Sequence, residues 1–291
     1  MGEHSLPTYS TSSHLSPPAL SLEEATDFVI KRARELVEEL VRRRGRQEPP
    51  FLSEEYAPLQ GIKETVKTNL GEPSAVLIRS IGGHIIKVNA NHHPVRQNFS
   101  CAHEIGHTLL DELEQETIKG RTEFRGLSPD IGRKAKERLC EAAAAELLMP
   151  ERVFREHLSR VGLSVSSIQR LARTFHVSIP ATAIRIAEVS LEPCIAILWQ
   201  PWSTRKSRRL RIRWCTGPGR RSPQRERYTP AQEYVTHRES SSLVKAYEGD
   251  CPVKSFRLFK LGNISKRCYT ESQGFGHGKT RYVMSLAFPG R

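Results

Sequence analysis

The sequence predicts an α+β fold in three consecutive parts, and three observations carry that reading. Helical periodicity before residue 45, and again near 94–110 and 130–150, brackets three short apolar or β-branched runs, as in a small sheet packed among helices. Three short helices follow between 151 and 190. Beyond Pro193 the pattern turns to strands and the charge changes with it. Residues 191–291 hold 20 Lys and Arg against 7 Asp and Glu, whereas residues 1–190 hold 25 of each. The whole formal charge of +13 therefore lies in the last third, which marks a module with its own electrostatic role. The expected divisions are a disordered tail (1–20), an α+β domain (21–150), a helical helix-turn-helix-like module (151–190) and a basic β-rich module (191–291) to which a sensory role is open.

Composition narrows the class. Apolar residues make 37% and charged residues 26% of the chain, a globular mix that excludes fibrous repeats and wholesale disorder. No apolar run approaches the ~18 residues of a membrane helix. The first 20 residues lack a basic start followed by an apolar stretch, so no secretory signal is read there, and Leu6 spoils a myristoylation motif at Gly2. Six cysteines without a Cys-x-x-Cys pair read as reduced residues, not as a disulfide framework or zinc knuckle. The expectation is a cytoplasmic protein with no membrane partner.

Taken in order, Ser21 and Glu24 form a capping-box pattern ahead of Phe28, Val29, Leu36, Val37, Leu40 and Val41, which recur at helical spacing until Arg42–Gly45. Gln47–Pro50 reads as a linker. Leu59–Thr68, Ala75–Arg79 and Ile85–Asn89 are expected strands, divided by Gly71-Glu72-Pro73 and Gly82-Gly83. Pro94 opens a helix expected to run to about Leu110, Asp111–Gly126 is expected to be a loop, and a second strong helix begins near Asp130 and stops at Pro150. Glu151–Arg160, Val165–Phe175 and Pro180–Val189 are the next helices. Cys194–Trp199, Leu210–Trp214, Phe256–Leu261 and Arg281–Phe288 are the expected C-terminal strands.

One segment carries chemistry: His103-Glu104-Ile105-Gly106-His107. Histidines four residues apart share one helix face about ~6 Å apart along the axis, so both imidazoles reach one tetrahedral zinc. Glu104, rotated by ~100° from His103, projects beside the metal, where a carboxylate takes the proton of the attacking water. Phe99, His103, Gly106, His107 and Leu110 form one stripe, which turns the histidines inward. Asp111 lies ~12 Å along the helix from His103, too far for both to share an ion. The second helix offers Glu137 and Glu141, one turn apart and in line with Cys140, Ala144 and Leu148. Either carboxylate serves as the third ligand on this reading.

Arg96-Gln97-x-Phe99-x-x-Ala102-His103-Glu104-Ile105-Gly106-His107, with Glu137-x-x-Cys140 and Ala145-Glu146-Leu147-Leu148-Met149-Pro150, resembles the ImmA/IrrE family of cytosolic metallopeptidases over about residues 55–150. The resemblance implies a minimal zincin-like fold for residues 21–150, with zinc held by His103, His107 and Glu137 and with Glu104 as the general base. Mn²⁺ in place of zinc is open. The position of Glu141 is usually Asn or Asp in the family, and a carboxylate there would hydrogen-bond a ligand histidine. Family members cut helix-turn-helix repressors, which implies such a protein substrate here and relief of repression of stress-response or mobile-element genes.

Two features lie outside that motif. Leu163–Ala183 reads as helix, tight turn, helix, in which Thr182 and Arg185 are the obvious contacts for a base or phosphate; a helical support for the peptidase explains the same pattern. Arg209, Arg211 and Arg213 alternate with Leu210, Ile212 and Trp214, which puts the arginines on one strand face, as a phosphate-tracking surface or a solvated one. The expected activity is zinc-dependent endopeptidase cleavage of a cytosolic protein, with nucleic acid as a further partner of the basic third. The alternative is a DNA-binding transcriptional regulator with a structural zinc.

Overall fold

The computed structural model describes residues 19–45, 47–118, 127–128, 131–204, 207–217, 228–230, 234–236, 241–261 and 264–291. Residues 1–18 of the tail expected over 1–20, Asp130 as a helix start, and the basic residues Arg205 and Lys206 lie outside them. The protein is mixed α and β, with eight α-helices and two sheets among the described residues.

Helix α1 (Leu22–Arg44) begins at the expected capping box, where the Glu24 backbone N–H donates to the Ser21 hydroxyl and the Ser21 N–H donates to the Glu24 carboxylate. Gly45 ends it at φ 66°, a left-handed conformation that costs glycine nothing. Its stripe of Ala25, Val29, Ala33, Leu36, Val37 and Leu40 is buried. Leu20, assigned to the tail by its sequence, is buried and bridges Leu127. A short helix α2 (Ser53–Tyr56) follows, and the buried Tyr56 hydroxyl donates to the Leu147 carbonyl at 2.8 Å.

The small sheet has the order β1 (Ile62–Thr68), β3 (His84–Asn89), β2 (Ala75–Ile78); β1 runs parallel to β3 and β2 antiparallel to it. Helix α3 (Pro94–Ile118) crosses it and packs on α4 (Arg133–Leu148). The loop expected from Asp111 is helical to Ile118, because Leu113 continues the buried stripe of Ile105, Leu109 and Leu110. Polar composition alone concealed that continuation.

Helices α5 (Glu151–Val161), α6 (Val165–Phe175) and α7 (Ile179–Val189) form the middle module. Ser164 and Ser178 cap α6 and α7, and His176 turns the chain between them at φ 52°. Here the structure corrects the sequence. Thr182 and Arg185 do not face outward: both are buried, as are Ala183, Ile186, Ala187 and Val189. The Arg185 guanidinium donates to Glu146 Oε2 at 2.8 Å and to the Met149 carbonyl at 2.7 and 2.9 Å. No residue of α7 is in the exposed class, so it is a core helix that presents no base-reading face.

The C-terminal sheet is antiparallel, in the order β6 (Tyr228–Pro230), β8 (Val253–Leu261), β9 (Ile264–Phe275), β10 (Tyr282–Phe288), β4 (Ile195–Thr204), β5 (Ser207–Thr216), β7 (Tyr234–Thr236). Only three residues separate β6 on one edge from β7 on the other, so the edges must approach each other, and β5 touches β6. One face, with Ala196, Leu198, Met284, Leu286 and Phe288, shares a continuous core with the helices of residues 21–190. The opposite face, with Ile195, Ile197, Trp199 and Val283, packs on helix α8 (Ser241–Glu248) through Leu243 and Ala246. Glu271 joins β9 to the middle module, its carboxylate accepting the Val165 N–H at 3.0 Å at the start of α6.

The arginine alternation needs a second correction. Trp214 pairs with Leu198 but Ile212 pairs with Trp199, so Arg213 is the extra residue of a β-bulge and leaves the period-two row. Arg211 keeps its place and lies over the Trp202 ring at 6.0 Å. The side chain of Arg209 lies outside the described residues.

Candidate metal centre

The start of α3 is pinned from below. Gln97 Nε2 donates to the carbonyls of Asn89, Ala90 and His92 at 3.2, 3.2 and 2.8 Å, which orients the helix on the end of β3. With Cys101, Ala102, Ile105 and Leu109 buried on the core side, the neighbouring face carries His103, Glu104 and His107, all half-buried. The two imidazole centroids stand 5.1 Å apart with their planes at 76°.

Gly106 explains what faces them. A Cβ on this residue would lie 2.9 Å from both Cα and the carbonyl oxygen of Cys140. The absence of a side chain lets α3 and α4 touch backbone to backbone at this point. Cys140 is then held under the histidines and Glu137, one turn earlier on α4, reaches over them. Glu137 Oε2 lies 3.1 Å from His103 Nε2 and 3.9 Å from His107 Nε2. Glu141, the other carboxylate the sequence offered, is exposed.

These atoms fit a zinc ion. Bonds of ~2.0–2.2 Å in tetrahedral geometry place ligand atoms about 3.3–3.5 Å apart, and the two measured separations straddle that range. Cys140, which the sequence placed on this face without a role, has its sulfur within 4.8 Å of ligand atoms of both histidines. Geometry alone therefore admits His103, His107 and Cys140 as a second ligand set. Burial pushes the Cys140 thiol up to about 12, with the negative charges of Glu137 and Glu104 adding to the shift. Glu137 supplies an oxygen already close to both imidazoles.

Burial also sets the behaviour of the neighbouring groups. It lowers the His107 pKa, which favours the neutral imidazole that a metal requires. It raises the Glu104 carboxyl above its ordinary value, while the neighbouring His107 opposes that rise. A carboxylate raised in this way is a better proton acceptor near neutrality. Arg79, just beyond β2, grips Asp111 of α3 with Nε to Oδ2 at 2.6 Å and Nη2 to Oδ1 at 3.1 Å. Sequence reasoning missed this pair, since no local pattern links residues 32 positions apart.

Residues 63–187 match the profile of the peptidase M78 family, the IrrE N-terminal-like domain. The segment is thus similar to the ImmA/IrrE family that the motif resembles. Two relatives are the radiation response metalloproteases IrrE of Deinococcus deserti and Deinococcus radiodurans. The first is 35% identical over 115 residues, which is 38% of this chain and 39% of that protein. The second is 35% identical over 121 residues, which is 40% of this chain and 35% of that protein. The matched stretch thus spans well under half the length of either relative. A Mycobacterium tuberculosis transcriptional regulator shares the fold at a TM-score of 0.55 and 15% identity, over 93% of this chain and 82% of that one. The architecture beyond the IrrE-like domain, including the large sheet, therefore recurs in a solved protein. No described helix is long and apolar enough to cross a membrane.

Proposed function

We propose that this protein is a zinc-dependent endopeptidase. The observation that carries the reading is the convergence of His103, His107 and the Glu137 carboxylate within 3.1–3.9 Å beside Glu104. His103, His107 and Glu137 would hold the metal, with Mn²⁺ as a substitute for zinc. A bound zinc would supply a Lewis acid for the scissile carbonyl and make water at the site more acidic. Glu104 takes the proton of the attacking water and passes it to the leaving amine. Strand β2, at the edge of the small sheet and packed on α3, offers backbone groups to an extended peptide beside Glu104.

The substrate on this reading is a helix-turn-helix repressor in the cytoplasm, as in the family that residues 63–187 resemble. Cleavage would relieve repression of stress-response or mobile-element genes. The basic C-terminal third, with +13 of formal charge, is the surface proposed to engage an acidic protein face or nucleic acid. A regulator that reads DNA through α7 and uses zinc only as a staple is disfavoured by the burial of Thr182 and Arg185.

The test is to incubate the purified chain, loaded with zinc or with manganese, with repressors encoded beside its own gene. Glu104→Gln should keep one zinc per chain and lose cleavage, because the base is removed and the ligands stay. Cleavage by this variant at the wild-type rate would remove Glu104 from the mechanism.

A further inference from the structure

The proposed site has a base and a ligand set, yet peptide hydrolysis also needs a positive group at the oxygen on which charge develops. We infer that Arg79, held by Asp111, is that group: the electrophile that takes the oxyanion formed when water adds to the scissile carbonyl. The inference rests on the peptidase reading above.

Its place follows from the two elements that frame the site. Arg79 directly follows β2, the edge strand that packs on α3. Asp111 is one helical turn past His107 on the same face of α3. The bidentate pair, at 2.6 and 3.1 Å, therefore sets a guanidinium where strand and helix meet, one helical turn beyond the proposed ligand His107. Asp111 uses two of the five guanidinium N–H donors and fixes the plane of the group, leaving donors for a substrate oxygen. Arg79 is about half-exposed, so the substrate side is open. In the step itself, water oxygen bonds to the carbonyl carbon as its proton moves to Glu104, and the π pair moves onto the carbonyl oxygen. Arg79 donates to that oxygen. Collapse re-forms the C=O bond, breaks C–N and returns the proton to the amine, giving a carboxylic acid and an amine.

The rival account is a clamp that only fastens β2 to α3. Two zinc-directed probes separate them on the zinc-loaded full chain: a short phosphinic peptide, which mimics the tetrahedral anion, and acetohydroxamate, which is planar. Arg79→Gln should weaken the phosphinic peptide by ~100-fold or more, the scale that loss of such a donor produces, and leave acetohydroxamate and zinc affinity unchanged. Arg79→Lys should recover part of the difference, and thermal unfolding of each variant reports its folding. Equal affinity of wild type and Arg79→Gln for the phosphinic peptide overturns the inference. So does parallel loss of both probes, the signature of a clamp. Failure of the wild type to bind zinc would instead sink the peptidase reading itself.

Discussion

At the scale of single residues, the centre is decided by which side chains lose water and which stay in it. Glu137 and Glu141 are chemically identical and one turn apart, yet only Glu137 is carried to the histidines. Glu137→Ala should abolish tight zinc binding, and Glu141→Ala should leave it within a few-fold of wild type. Cys140→Ser tests the other ligand set. If Cys140 only packs beneath the metal, zinc affinity should fall by no more than the ~10–100-fold typical of groups outside the ligand shell. Competition titration with a chromogenic chelator gives all three values, and a greater loss in Cys140→Ser than in Glu137→Ala would transfer the third ligand to sulfur.

At the scale of elements, the α3–α4 contact makes the site. Gly106 costs α3 about 1 kcal/mol of helix propensity relative to Ala, and the close approach to Cys140 is what it gains. Gly106→Ala should therefore reverse the usual benefit of alanine in a helix. Overpacking against backbone typically costs about 1–3 kcal/mol, and separating the helices should also draw Glu137 away from the imidazoles. The expected result is a lower denaturation midpoint together with at least ~10-fold weaker zinc binding. A variant more stable than wild type with unchanged zinc affinity would show that the contact is looser than drawn. The strand β9 teaches a related lesson. Its sequence, ISKRCYTESQGF, has no clean alternation, because Thr270, Glu271 and Ser272 are all buried, Thr270 donating to the Cys268 carbonyl of its own strand and the other two finding partners in α6 and β10.

At the scale of the whole molecule, one buried ion pair ties the middle module to α4. Burial pushes the Glu146 carboxyl up, but the Arg185 charge and the hydrogen bonds from the Glu151 N–H and Arg185 outweigh it, so the group is held below the ordinary carboxylate range. A depressed folded-state pKa means stability that is present above the unfolded value, ~4.3, and lost as pH falls through the folded value. Acid unfolding should accordingly steepen below about pH 4, and Arg185→Met should flatten that limb. Arg185→Met should also cost roughly 1–3 kcal/mol at neutral pH, since it leaves a carboxylate whose side chain is 2% exposed with only Arg34 at 3.3 Å and the Glu151 N–H at 3.0 Å as partners. Adding Glu146→Gln should recover part of that loss. Denaturant titrations across pH decide, and a neutral-pH cost under ~1 kcal/mol would mean that Arg34 and the Glu151 N–H satisfy the carboxylate without Arg185.

The sequence by itself determined what local periodicity can carry. His103, Glu104 and His107 are set by one turn of helix, the Ser21–Glu24 box by four residues, and the caps of α6 and α7 by a serine before each. The family match over residues 63–187 agrees with the blocks that the motif reading singled out. Only the tertiary structure decided which face of α4 meets α3, because that depends on a backbone contact between residues 34 positions apart. The same holds for the burial of Arg185, polar by composition yet enclosed by Glu146 and the Met149 carbonyl, and for Arg79 joining Asp111 across strand and helix. Side-chain pairing over long separations leaves no period along the chain. It appears only once desolvation forces each buried charge to find its partner.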